Sequence, residues 1–321
     1  MSGNKQNKAR KMLINMYIKT LKEDTIPWHN RWINIVQKNA STNIAYKGIN
    51  QLLLSFVASE EKYKDPRWLT YLQIQEAGYK LKNAKGKGIP IEFWAAYDIK
   101  NKRKVDFVDY KKIIELNPEL KDNYKIFSKV SYVFNAECID GIEPYKNTTN
   151  DKVKSIPRFI ENVIKNFGIK YFEQGNQAYY VPSLDVIYLP PRNLFNDTYS
   201  YYATLLHELC HATGHKTRLN RNLDIKNDLD RAREELIAEI SSSFLMQELN
   251  IDVKAEHYDN HKAYIKSWIE LLENEPSELF KAINKSMEVS DYVEENSDIR
   301  NINSKNKERK NLKWDIDLML E

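Results

Sequence analysis

His207-Glu208-Leu209-Cys210-His211 is an HExxH pentad, and these residue types at this spacing can do metal chemistry. On a helix, positions i and i+4 share one face about a turn apart, so both imidazoles can reach one small cation. Glu208 then lies beside the cation, where a carboxylate can take a proton from bound water. Two helical histidines that merely pack are the alternative, and the intervening glutamate favours zinc-dependent hydrolysis over it. Cys210 points away from both imidazoles and reads as a small buried residue.

A catalytic zinc takes three protein ligands and keeps a position open for water. A third histidine ten residues after the first is excluded, because that position is Thr217. His215 follows His211 by four but lies beyond Gly214, a reasonable helix stop, and reads as a polar wall of the cleft rather than a ligand. The next helical pattern, from Glu234 to Met246, places Glu235 and Glu239 four apart on one face. Glu235 is the expected third ligand and Glu239 the acid that orients an imidazole. Glu234 and Glu239 remain alternatives for the ligand, and a solvated acidic stripe is the structural alternative. HExxH followed by E-x-x-x-[DE] is similar to the gluzincin pattern. His257 and His261, also four apart, lack an intervening glutamate and read as surface or cleft residues.

The elements that must hold this site are legible nearby. Residues 177–182 and 185–190 read as two short strands across a turn. Asn196 or Asp197 is the expected N-cap of a helix that starts near Thr198. In proteases with this motif the strand before the helix pairs with extended substrate, which here would be Asp185–Leu189.

The composition sets outer bounds. With 321 residues, two domains are the natural expectation, and 42% hydrophobic and 12% aromatic residues suffice to build cores. Two cysteines, Cys138 and Cys210, argue against a disulfide framework and fit a reducing compartment. No apolar run reaches membrane-spanning length, and no cleavable leader is evident. The expected location is the cytoplasm, with no membrane partner.

Charge divides along the chain. Residues 1–150 hold 26 Lys and Arg against 16 Asp and Glu, whereas the remainder holds 23 against 29. A basic first half suggests a polyanion-binding module, with solvated lysine-rich faces as the plain alternative. Residues 9–22 have the spacing of an amphipathic helix, and 89–97 and 130–136 read as buried strands. Trp28, Trp32, Trp68 and Trp94 interleave with basic groups, as single-stranded nucleic acid requires, although each alone is more readily a core residue. The lysine-glycine hairpin expected at 80–88 carries cations that cannot all be buried.

Several of these segments resemble one family. Pro27-Trp28-His29 with Trp32, Tyr46-Lys47-Gly48-Ile49-Asn50, Arg67-Trp68-Leu69-Thr70 with Gln73, and Val133-Phe134-Asn135 with Gly141 are similar to the N-terminal domain of ArdC-type antirestriction proteins. In the second half, the pentad with Gly214, His215, Arg218 and Leu219, then Arg233 to Ile240, then Tyr264 with Trp268, resemble that family's metallopeptidase domain. The resemblance implies an α+β chain: a single-stranded-DNA-binding domain (1–147), a zincin-like, gluzincin-type domain (148–294) and a flexible tail (295–321). It also implies one Zn²⁺ on His207, His211 and Glu235, with another divalent metal as the alternative, and Glu208 as the catalytic acid-base. DNA contacts are expected among Lys47, Asn50, Arg67, Trp68, Lys80, Lys82, Lys85 and Lys87. Proteins of this type travel on plasmids, conjugative elements and phages. Three functions follow: a peptidase localised by single-stranded DNA and acting on an unknown protein, a DNA-coating protector with a structural metal, and a metal-dependent nuclease, which the ligand set disfavours.

Overall fold

The computed structural model describes residues 2–23, 35–146, 156–249, 251 and 262–297. Trp28, Trp32, His257, His261 and the tail from 298 onward lie outside the described residues. The fold is α+β, in two compact units: residues 1–148 with 252–284, and residues 149–251 with 285–321. Residues 252–284, grouped with the metal-site half from sequence, fall with the first unit in this division.

The first unit is built on a five-stranded sheet ordered β1-β2-β6-β4-β5. Its elements run α1 (Ser2–Lys22), β1 (Lys38–Asn39), α2 (Gly48–Glu60), β2 (Arg67–Thr70), α3 (Tyr71–Glu76), β3 (Lys80–Leu81), β4 (Ile89–Asp98), β5 (Arg103–Asp106), α4 (Phe107–Leu116), β6 (Tyr124–Asn135) and β7 (Ile139–Asp140). Only β1 and β2 pair in parallel. The long antiparallel ladder of β4 with β6 runs from Ile89↔Val133 to Asp98↔Tyr124. The expected strand at 130–136 is therefore only the end of β6. Its first half, Tyr124-Lys-Ile-Phe-Ser-Lys129, lacks a buried apolar face and so gives no alternation to read. α3 starts with a capping box in which the Gln73 amide donates to Thr70 Oγ1 and the Thr70 amide to Gln73 Oε1.

Three of the expected DNA contacts make bonds within the fold. Trp68 has 0% exposure, and its indole N–H donates to Gln37 Oε1 at 2.7 Å. A base cannot stack on a ring with no free face. Asn50 spends its side chain on the edge of β4, donating to the Glu92 carbonyl at 2.7 Å and accepting from the Glu92 amide at 2.8 Å. Arg67 is held by Asp65 at 2.7 Å and by the Glu143 carbonyl at 2.6 Å.

The lysine-glycine segment does not fold back on itself. β3 pairs with β7, Lys80 opposite Asp140, and Gly86 takes φ +77° to turn the chain toward β4. Lys82 lies 3.0 Å from Asp140 and Lys87 2.7 Å from Glu61. Lys47, Lys80 and Lys85 are exposed.

The second unit contains α5 (Ile156–Phe167), β8 (Lys170–Glu173), β9 (Tyr179–Val181), β10 (Val186–Leu189), α6 (Thr198–Ala212) and α7 (Asp228–Leu249). α8 (Lys262–Asn274) belongs to the first unit, and α9 (Ser277–Glu295) begins there and ends in the second. The hairpin of β9 and β10 forms as expected, Val181 opposite Val186. Its second strand, however, is the centre of a three-stranded sheet, β8-β10-β9. β10 uses one edge on β8 in parallel and the other on β9, so residues 186–188 are paired on both edges and leave none for a substrate strand. The sequence reading of Asp185–Leu189 as the substrate-pairing strand is corrected accordingly.

Replacing Trp68 by Phe should leave Gln37 Oε1 without its donor and open a void. We expect a loss of about 1–3 kcal/mol in equilibrium urea unfolding.

Candidate metal centre

α6 begins at Asp197, whose carboxylate accepts from the Ser200 amide at 2.8 Å. From that cap the helix runs through the pentad to Ala212 and buries Leu205, Leu206, Leu209 and Cys210. Burial also pushes the Cys210 thiol up, so it stays protonated and offers no thiolate. The same helix turns His207 and His211 together, with their Nε2 atoms 3.0 Å apart. Two imidazole lone pairs aimed at one point repel unless a cation or a proton lies between them.

α7 supplies the opposing charge. Glu235 Oε2 lies 3.5 Å from His207 Nε2 and 3.7 Å from His211 Nε2. A tetrahedral cation with bonds of about 2.0–2.2 Å separates its ligands by about 3.3–3.5 Å, so the three donor atoms fit one. Among the described residues, His207, His211 and Glu235 form the cluster able to hold a metal.

The far nitrogen of each imidazole faces its own glutamate. His211 Nδ1 lies 3.1 Å from Glu234 Oε1, which fixes the tautomer with Nε2 free to ligate. His207 Nδ1 lies 3.8 Å from Glu239 Oε1. Glu234, an alternative ligand from sequence, is thus turned to the back of His211 instead. Glu208, beside His207 on α6, is 6% exposed.

Electrostatics follow from this packing. Burial alone would push Glu235 up, yet the two imidazoles hold it well below the usual carboxylate range. Glu234 is likewise held low against its burial by His211 and Arg221. Burial pulls both histidines down, and the surrounding glutamates more than reverse this. The pocket therefore favours positive charge at the two Nε2 atoms.

Sequence reasoning missed Arg221 and Asp185. Arg221 donates to Glu234 Oε1 at 2.7 Å and to the Cys210 carbonyl at 3.0 Å, and also to Thr213 Oγ1. It comes from the irregular segment between α6 and α7, where no periodicity marks it. Arg218 donates to the Ala212 carbonyl at 2.6 Å and pairs with Asp185 through both nitrogens of its fork, one bond at 3.1 Å. Tyr180 also donates to Asp185, at 2.8 Å. His215 turns to this group, 3.9 Å from Asp185 and 2.8 Å from Thr217 Oγ1, and is not among the three donors. Asp185 sits at φ +52°, a left-handed conformation that its ion pairs hold in place.

Known proteins place this arrangement. Residues 158–285 match a family of zincin-like metallopeptidases, and residues 7–134 match the N-terminal domain of the anti-restriction factor ArdC. An uncharacterized protein, y4eC of Sinorhizobium fredii (strain NBRC 101917 / NGR234), is 32% identical over 270 residues, covering 84% of both chains. The crystal structure of the antirestriction ArdC protein from the R388 plasmid superposes with a TM-score of 0.68 at 27% identity, covering 90% of this chain and 97% of that one. The chain belongs to the ArdC antirestriction family. The Mn(II)-bound form of that ArdC gives a TM-score of 0.69 at 28% identity. The DNA primase TraC of Escherichia coli is 34% identical over 291 residues; this ArdC-family chain spans 86% of its own length there but only 26% of the primase.

Two outcomes test the geometry. Glu234→Gln should lower metal affinity about 10–100-fold in a chelator-competition titration while the folded structure persists. Asp185 is held below its ordinary value: burial pushes it up, but Arg218 and Tyr180 outweigh that. Its pairing therefore stabilises the fold above the unfolded carboxyl pKa of about 3.9 and is lost as pH falls through the lower folded value. Asp185→Asn should cost on the order of 2 kcal/mol near neutrality. In thermal unfolding across pH, that deficit should narrow below about pH 4.

Proposed function

We propose that this chain is an antirestriction protein of a mobile element or phage that binds single-stranded DNA through residues 1–147 and carries a zinc metallopeptidase site in residues 148–294. The observation that carries the reading is the convergence of His207, His211 and Glu235 with a glutamate behind each imidazole. A packing pair of histidines has no need of that arrangement. The Mn(II)-bound ArdC of R388 supports a divalent cation in this family, and the nitrogen-rich donor set favours Zn²⁺ in the cell.

When bound, zinc supplies Lewis acidity that lowers the pKa of water toward neutrality and polarises a peptide carbonyl. Glu208 would accept a proton from the attacking water and return it to the leaving amine. Glu234 and Glu239 hold the imidazoles in orientation, and Glu235 completes the ligand set. The substrate is an unidentified protein. Among the described residues no helix is long and apolar enough to cross a membrane, and we place the protein in the cytoplasm, with the restriction machinery that an incoming element meets.

The second reading, a DNA-coating protector with a structural metal, uses the same ligands. Metal analysis combined with a restriction assay separates the two. The wild type should retain about one zinc per chain, and His207→Ala and Glu235→Ala should lose it. Glu208→Gln should keep the metal but lose peptide hydrolysis by a factor of about 10²–10⁴, along with protection of incoming DNA in cells. Full protection by a metal-loaded Glu208→Gln protein would sink the peptidase account and leave the coating one.

A further inference from the structure

Arg221 donates to both oxygens of Glu234, from Nη2 to Oε1 at 2.7 Å and from Nε to Oε2 at 3.3 Å. A planar guanidinium that meets both oxygens fixes the plane of the carboxylate as well as its place. Oε1, which takes the shorter bond, also lies 3.1 Å from His211 Nδ1. The rest of the fork faces the helix that carries His211: Nη2 donates to the Cys210 carbonyl at 3.0 Å, and Nη1 to Thr213 Oγ1. One side chain therefore grips the backbone next to His211 and the acceptor behind its ring.

Every group in this chain is sheltered. The side chains of Arg221 and Glu234 are 8% and 7% exposed, and that of His211 13%. In such surroundings a carboxylate keeps its charge and direction only through its partners. The segment that delivers Arg221 is seated closely on the helix end, where a Cβ on Gly214 would lie 2.8 Å from Leu223. Its backbone is bound there too: the Leu219 amide donates to the Thr213 carbonyl at 2.9 Å, and the Asn220 amide to the His215 carbonyl at 3.1 Å. A cap for α6 needs the bonds to Cys210 and Thr213. It has no use for a two-point grip on a glutamate of the next helix.

We infer that Arg221 is a positioning residue of the metal centre, which holds the Glu234 carboxylate against His211 Nδ1 and so directs His211 Nε2 at the cation. It acts through Glu234 and is not itself a ligand. The inference rests on the proposed metal site at His207, His211 and Glu235.

Competition for Zn²⁺ against a chromophoric chelator tests it on the full-length protein. Arg221→Ala and Arg221→Lys should each weaken zinc binding about 10–100-fold, since lysine keeps the charge but lacks the fork. Combined with Glu234→Gln, Arg221→Ala should add less than about twofold to the loss that Glu234→Gln causes alone. That non-additivity belongs to a residue acting through Glu234. Support of the helix end alone would weaken binding by the same factor in both backgrounds, and that result overturns the inference. Zinc affinity unchanged in either single variant overturns it as well. Should circular dichroism show that Arg221→Ala does not fold, Arg221→Lys with and without Glu234→Gln gives the same comparison. A wild type that takes up no zinc would instead remove the proposed metal site itself.

Discussion

Two imidazoles that present Nε2 atoms 3.0 Å apart inside a folded domain impose a strict demand on everything around them. Each ring must be locked in the tautomer that leaves Nε2 free, and the only general way to lock it is an acceptor at Nδ1. That acceptor must itself be buried, and a buried carboxylate is costly unless it is paired. The demand therefore spreads outward: from His211 to Glu234, from Glu234 to Arg221, and from Arg221 to the Cys210 carbonyl and Thr213 at the end of the helix that bears the histidines. The loop closes on α6, so the cation site and the helix terminus stabilise one another.

The same logic explains why α7 is the partner and why its glutamates stand where they do. Adjacent residues on a helix diverge by about 100°. Glu234 and Glu235 can thus flank one imidazole from two sides, one at Nδ1 and one at Nε2, as the distances of 3.1 and 3.7 Å require. Glu239 lies one turn beyond Glu235 and meets His207, itself one turn before His211 on α6. Two helices can match i,i+4 pairs in this way only when they pack side by side. Beyond the helix end, Arg218 joins the Ala212 carbonyl to Asp185 at the β9–β10 turn, so the small sheet and the metal helix are positioned by one guanidinium.

The cluster of His207, His211 and Glu235 was legible because helical spacing converts directly into proximity: His207 and His211 share a face of α6 whatever the tertiary fold, and Glu235 shares one with Glu239 on the next helix. The place of Glu234 behind His211 was not legible, since it depends on how α7 is rotated against α6, and no local rule sets that angle. Arg221 left no trace because an irregular segment has no period to read. The central place of β10 was hidden for a related reason: β8 joins it in parallel through the intervening β9, a pairing that local pattern does not encode. On the first unit, Trp68 and Asn50 matched a family pattern whose residues serve the core and the sheet edge there as well as any surface.

A basic balance along the first half of the chain does not by itself mark a binding face. Counterion release depends on cations that are not already neutralised by the protein, and the lysines most visible in the sequence, those spaced around Gly86 and Gly88, include two whose ammonium groups contact Asp140 and Glu61. The lysines of β5 and β6 are scattered through unremarkable stretches and become a surface only when a twelve-residue strand is laid against β4. Register decides which rings stand among them. Shifting β6 by one residue would turn Phe127 and Lys125 onto the side that carries Ala96 and Val105 and move Ile126 and Ser128 to the other. Chemistry carried on alternating strand positions is thus a property of the pairing, and it is read only after the sheet is built.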